Sequence, residues 1–143
     1  MTLPAPRVGL VIRYNFLWSH ERDAGREEAA KDRPAAIVVA VGSATTGMRI
    51  IVAPITHAPS ADLADSLPLP PTVCAKLGLD DRPQWLRYDE LNRFIWPGYD
   101  LRPIPGSASV YAYGMLPRPL FEQLRARILL RQRAKAVSMQ DRD

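Results

Sequence analysis

A chain of 143 residues that is 47% hydrophobic is long enough to bury one core and short for two domains. One cysteine, Cys74, excludes an internal disulfide framework, and one cysteine with two histidines argues against a structural zinc site. The formal net charge of +4 is unevenly placed: residues 1–117 hold 12 basic and 12 acidic side chains and residues 118–143 hold 7 and 3, so the whole excess falls in the last segment.

That basic end has two readings, a solvated terminal helix or a surface that attracts a polyanion or an acidic partner. No run approaches the ~18 apolar residues of a membrane span, and Met1 to Gly9 lacks the apolar core of a secretory signal. With the lone cysteine, this leads us to expect a cytoplasmic protein without a membrane partner. Fourteen prolines cut the chain into short elements, which suits a β-rich barrel with long loops better than a helical bundle.

In chain order, Val8 to Trp18 (VGLVIRYNFLW) is rich in β-branched and aromatic residues and reads as the first strand. Ser19 to Asp32 is polar and charged and reads as a long loop, with a helical turn placed around Glu27 to Ala30. Arg33-Pro34 then opens an apolar run, Ala35 to Val41, and a second run spans Met48 to Ile55. Between them Gly42-Ser43-Ala44-Thr45-Thr46-Gly47 is turn chemistry, so the pair reads as an antiparallel hairpin. The two runs are nearly continuous in apolar character, which implies that both faces are covered.

Ala58 to Pro71 is a proline-, serine- and aspartate-rich connector, and a short helix is expected from Pro70-Pro71 through Leu77, stopped by Gly78. Trp85 to Tyr88 and Arg93 to Trp96 read as short strands separated by Asp89 to Asn92, and Leu101 to Ile104 and Val110 to Tyr113 as further extended pieces. After Pro117-Arg118-Pro119, Leu120, Phe121, Leu124, Ile128 and Leu129 recur at helical spacing, with five basic residues elsewhere around the helix. The helix is expected over about 118–136, followed by a frayed tail over 137–143.

No glycine-rich phosphate loop, no Ser/His/Asp set at a known spacing and no cluster of metal ligands is present, so no cofactor is expected. The hairpin itself supplies the candidate chemistry. Antiparallel pairing sets Arg33, at the start of one strand, beside Thr56, at the end of its partner. Arg87 and Asp89 are two apart and share a strand face, where they serve equally as a structural salt bridge or in substrate handling. Thr56 reads also as a strand-end residue that makes a turn bond, and His57 as a surface histidine pointing away from Thr56. Glu27 and Glu28 read as solvated loop charges, and Trp18, Trp85 and Trp96 as core or dimer-interface residues.

The chain resembles the MazF/PemK/Kid toxins of bacterial type II toxin–antitoxin systems over roughly Val8 to Leu129. The residues that carry this are Gly9-Leu10-Val11-Ile12, the strand-opening Arg33-Pro34 with Glu28 five residues before it, the strand ending Pro54-Ile55-Thr56, and Arg87-Tyr88-Asp89. The resemblance implies one domain over 1–143, an SH3-like small β-barrel (about 8–113) with a C-terminal α-helix, mainly β in class. It implies a homodimer that binds single-stranded RNA across its interface and is neutralised by an antitoxin. It further implies a metal-independent, sequence-preferring endoribonuclease. Arg33 and Thr56 form the core pair, and Glu28, Arg87 and Asp89 act as acid, base or positioning groups. His20, Lys31 and His57 are the accompanying candidates for RNA contact. Two departures go with it: the first-loop histidine of some members has its nearest counterpart in His20, and the connector from Ala58 to Gln84 is longer and richer in proline. Two other readings stay open, a non-catalytic barrel that poisons a protein target, as the related CcdB toxins do, and a plain binding module on the same fold.

Overall fold

Two long strands dominate the molecule because their residues are β-branched and apolar on both sides. The computed structural model describes residues 3–27, 29, 31–43, 45–60, 65–134 and 137–142. Within it β2 (Arg33–Ser43) and β3 (Gly47–Thr56) pair antiparallel from Ser43↔Gly47 to Ala35↔Pro54, as the apolar runs predict. The turn demands glycine at Gly42: its φ is +131°, and a Cβ there would lie 2.1 Å from the Gly47 carbonyl oxygen. The register shifts once, between Ile37 and Val39, where a bulge at Val38 turns the rest of the strand.

The remaining strands are β1 (Leu10–Tyr14), β4 (Ser66–Pro68), β5 (Trp85–Arg87), β6 (Glu90–Ile95), β7 (Leu101–Arg102), β8 (Ala112–Met115) and β9 (Ser138–Asp141). They form one sheet in the order β4-β5-β3-β2-β1-β7, with β6 also on β3, β8 also on β1 and β9 on β6. All pairings are antiparallel except that of β6 with β9. The result is a mainly β, largely antiparallel sheet with a C-terminal helix, α3 (Arg118–Arg133). These pairings do not show closure into a barrel.

A buried cluster covers each face of the central hairpin, which is why neither run alternates. One gathers Ala36, Ala53 and Ile55 beneath α2 (Pro71–Leu77) and α3, and includes Leu120, Phe121, Leu124 and Ile128 of α3 as their spacing predicts. The other joins Ile12, Tyr14, Ala35, Val52 and Phe94 to Phe16 and Trp18 of the segment that follows β1. Helix α2 ends where expected, at Gly78 in the left-handed conformation with φ +73°.

Several expectations need correction. The polar stretch after Trp18 holds a helix that was not expected, α1 (Ser19–Asp23); of the turn expected around Glu27 to Ala30, Glu28 and Ala30 lie outside the described residues. Glu21 sets that start: its carboxylate accepts a hydrogen bond from the Trp18 backbone N–H at 3.1 Å. Leu91 and Asn92 are strand residues of β6, not turn. Leu129 is 41% exposed, outside the core. Arg131, one of the five basic residues placed elsewhere around α3, pairs with Asp65. Helix α3 ends at Arg133, with Lys135 and Ala136 outside the described residues. Residues 138–141 are no frayed tail: they form β9, paired from Glu90↔Ser138 to Arg93↔Asp141, because β6 offers its edge to whatever strand reaches it.

Candidate functional site

Arg33 opens β2 and stands opposite Tyr14 of β1; continuing the β2–β3 register by two residues sets it opposite Thr56, which is itself opposite Trp85 of β5. Alternation along the strands turns Arg33 to the face that carries Tyr14 and Ala35. That face is roofed by the segment after β1. Asn92, fully buried on β6, accepts a hydrogen bond from the Leu17 N–H at 2.8 Å and donates one to the Leu17 carbonyl at 2.7 Å. This mimics a strand pairing and seats the next residue, Trp18, over the rim.

Two guanidiniums meet that indole. The Arg33 Cζ lies 5.1 Å from the Trp18 ring centroid and the Arg87 Cζ lies 4.5 Å from it, both within cation–π range. Burial holds the Arg33 guanidinium below its ordinary pKa; the negative charge of Glu21 opposes that shift, and the positive charge of Arg87 adds to it. Arginine still keeps its charge, so the consequence is a partly desolvated cation. Its Nε is buried with no hydrogen-bond partner among the described residues. A buried donor of that kind is costly unless an acceptor meets it.

Arg87 differs. Its fork closes on Asp89 with bonds of 3.1 and 2.8 Å, and Glu90 lies 4.0 Å away. Glu90 in turn accepts the Ser19 N–H at 2.6 Å. The site therefore holds two guanidiniums on one indole, with the carboxylates of Glu21, Asp89 and Glu90 around them. It can bind an anion through Arg33 and offers Asp89 for proton transfer.

The structure thus brings Arg33, Arg87 and Asp89 together. Thr56 is buried beside them, but its hydroxyl donates to the Ala58 carbonyl, the turn bond that strand-end threonines make. His57 faces the other side of the sheet, where its Nε2 lies 2.8 and 3.0 Å from the two oxygens of Asp80. His20, on α1, and Lys31, just before β2, are exposed. Glu28 lies outside the described residues. Among the described residues no group of three or more His, Cys, Asp or Glu side chains is placed to hold a metal ion. Sequence reasoning missed Trp18 as the platform, Glu21 and Glu90 as the carboxylates that hold the Trp18 and Ser19 N–H groups, and Asn92 as its anchor through Leu17. Only Glu21 had a local signal, its position three residues after Trp18 at a helix start. Set beside known proteins, the chain matches no family model and no curated protein, so the likeness to the MazF/PemK/Kid toxins stands on its own motifs.

Proposed function

We propose that this protein is the toxin of a type II toxin–antitoxin pair, a homodimeric SH3-like barrel acting as a metal-independent endoribonuclease on single-stranded RNA. The observation that carries the reading is Arg33: a half-buried guanidinium whose Nε lacks a partner among the described residues, held against Trp18 beside a second arginine. A phosphodiester gives the accessible part of this guanidinium an anionic partner. The cutting step needs no external reactant but water. The 2′-hydroxyl loses its proton to a carboxylate, Asp89 or Glu28, and its oxygen attacks the adjacent phosphorus. The bond to the 5′-oxygen breaks, that oxygen takes a proton from solvent water, and a 2′,3′-cyclic phosphate remains. Negative charge grows on the phosphoryl oxygens during attack, and Arg33 stabilises it more than it stabilises the ground state.

The expected result is cleavage of single-stranded RNA in EDTA, and resistance where 2′-deoxyribose replaces the ribose at the cut. Arg33→Ala should fold normally and lose about 10²–10³ in rate. Light scattering should give twice the chain mass. One observation favours the rival reading, a non-catalytic barrel that poisons a protein target: the Thr56 hydroxyl and the Arg87 fork are already engaged within the protein. A purified protein that leaves a broad RNA pool intact while arresting cells would establish that rival.

A further inference from the structure

The rim that carries Arg33 and Thr56 has a second side. Pro34 follows Arg33 and His57 follows Thr56, and alternation sends these neighbours to the opposite face. There they line a cleft of about 430 Å³ closed by Leu77 and Ile104, with Asp80, Gln84 and Tyr113 among its polar groups. We infer that this cleft is a nucleobase subsite, taking the base of a nucleotide whose phosphate lies on Arg33 across the rim; the assignment of the phosphate rests on the ribonuclease reading, while the cleft itself does not.

The chemistry of the walls fits a flat heteroaromatic ring. Leu77 and Ile104 are apolar surfaces for its faces, and Tyr113 adds an aromatic ring. That tyrosine is fixed, since Arg13 donates to its hydroxyl at 3.0 Å, and Arg13 stands opposite Pro34 in the sheet. The polar edge is also fixed in advance. Asp80 accepts from the Arg82 N–H at 3.0 Å, from the Gln84 side-chain amide at 3.2 Å and from His57 at 2.8 and 3.0 Å. A carboxylate only accepts, so the His57 proton on that bond sits on Nε2. The other ring nitrogen, Nδ1, makes no hydrogen bond among the described residues, and neither does the Gln84 amide oxygen. The Gln84 amide oxygen thus offers an acceptor and His57 Nδ1 a second polar atom, which suits a base with polar groups on its edge. A ligand with an apolar body alone would leave both unmatched, and that is how such a site discriminates.

The test uses short single-stranded oligoribonucleotides of each of the four bases, 2′-O-methylated so that none can be cut. Wild-type affinity should differ at least tenfold between the best and worst base. His57→Ala, and independently Ile104→Trp, which fills the cleft, should shrink that spread roughly tenfold. Arg33→Ala should weaken all four by a similar factor. A spread untouched by both cleft variants, or no spread at all, overturns the subsite. Cleavage plays no part in this measurement. If wild type fails to cut natural RNA yet the spread and its loss persist, the reaction is wrong and the subsite stands; if it cuts and the spread ignores both variants, the subsite alone is wrong. No binding of any oligomer sinks both.

Discussion

Asn92 shows how much one side chain can place. It replaces two backbone hydrogen bonds for Leu17, and through Leu17 it sets Trp18 against Arg33 and Arg87. Asn92→Ala leaves a buried N–H and a buried carbonyl without it, so a loss of about 2–5 kcal/mol is expected in urea unfolding. Asp80 makes a different prediction. Desolvation pushes its pKa up, but the Arg82 N–H and the hydrogen bond and charge of His57 outweigh that and hold it below the ordinary 3.8. A carboxyl depressed in the folded state adds stability that is fully present above its unfolded pKa and lost as pH falls through the folded one. Below pH 3.8 the wild type should therefore weaken with acid more steeply than Asp80→Asn, read as urea midpoints across that range. At this scale the sequence was informative where strand parity applied: Arg87 and Asp89 were read on one face and His57 on the side away from Thr56, and both are found so. Trp18 was illegible as a platform because its position depends on Asn92, 75 residues from Leu17.

Among the elements, those whose cause is local could be read directly. The hairpin, the α2 stop at Gly78 and the buried stripe of α3 follow from apolar period and glycine. Leu124 lies at the centre of that stripe and is fully buried, so Leu124→Ala should cost about 2–5 kcal/mol. Leu130 is 62% exposed on the same helix, and Leu130→Ala should stay within about 0.5 kcal/mol. Thermal or urea melts of the two variants check the face assignment, and equal losses would mean that the helix is rotated from this position. Elements with distant causes were not legible. The bulge at Val38, the early start of β6 and the three-residue β4 depend on which strand lies alongside. The ion pair of Arg131 could not be read either, because its partner, Asp65, is 66 residues away.

For the molecule as a whole, the decisive feature is how the last strand ties down the segment that roofs the site. β9 adds to the edge of β6, and Arg142 just after it turns inward until only 3% of its side chain is exposed. Its guanidinium donates to the Asp100 carboxylate at 2.8 Å, to the Glu27 carbonyl at 3.0 Å and to the Asn15 carbonyl, and it lies 5.9 Å from the Tyr14 ring centroid. Asn15 in turn holds both the N–H and the carbonyl of Ala29. The strap from Asn15 to Ala29, which carries Trp18 and Glu21, is thus gripped by Arg142 near both ends. Nothing in the composition of Val137 to Asp143 suggests this, because the apolar surface and acceptors that fix the segment belong to β6, the strap and Asp100. Arg142→Ala takes a cation away from a nearly buried carboxylate and two carbonyls, and a cost of about 3–5 kcal/mol is expected. Arg142→Lys keeps the charge but not the fork, so it should recover only part of that loss. The sharper readout is amide hydrogen exchange. In Arg142→Ala the Leu17, Trp18 and Ala29 amides should lose protection while the β2–β3 hairpin keeps its own, since no hairpin bond involves the last strand. If the strap amides keep wild-type protection, Asn15 and Asn92 suffice to hold it and the grip of Arg142 is incidental. If hairpin and strap lose protection together, the strap is no separable unit, and the last strand supports the whole fold rather than the roof of the Arg33 site.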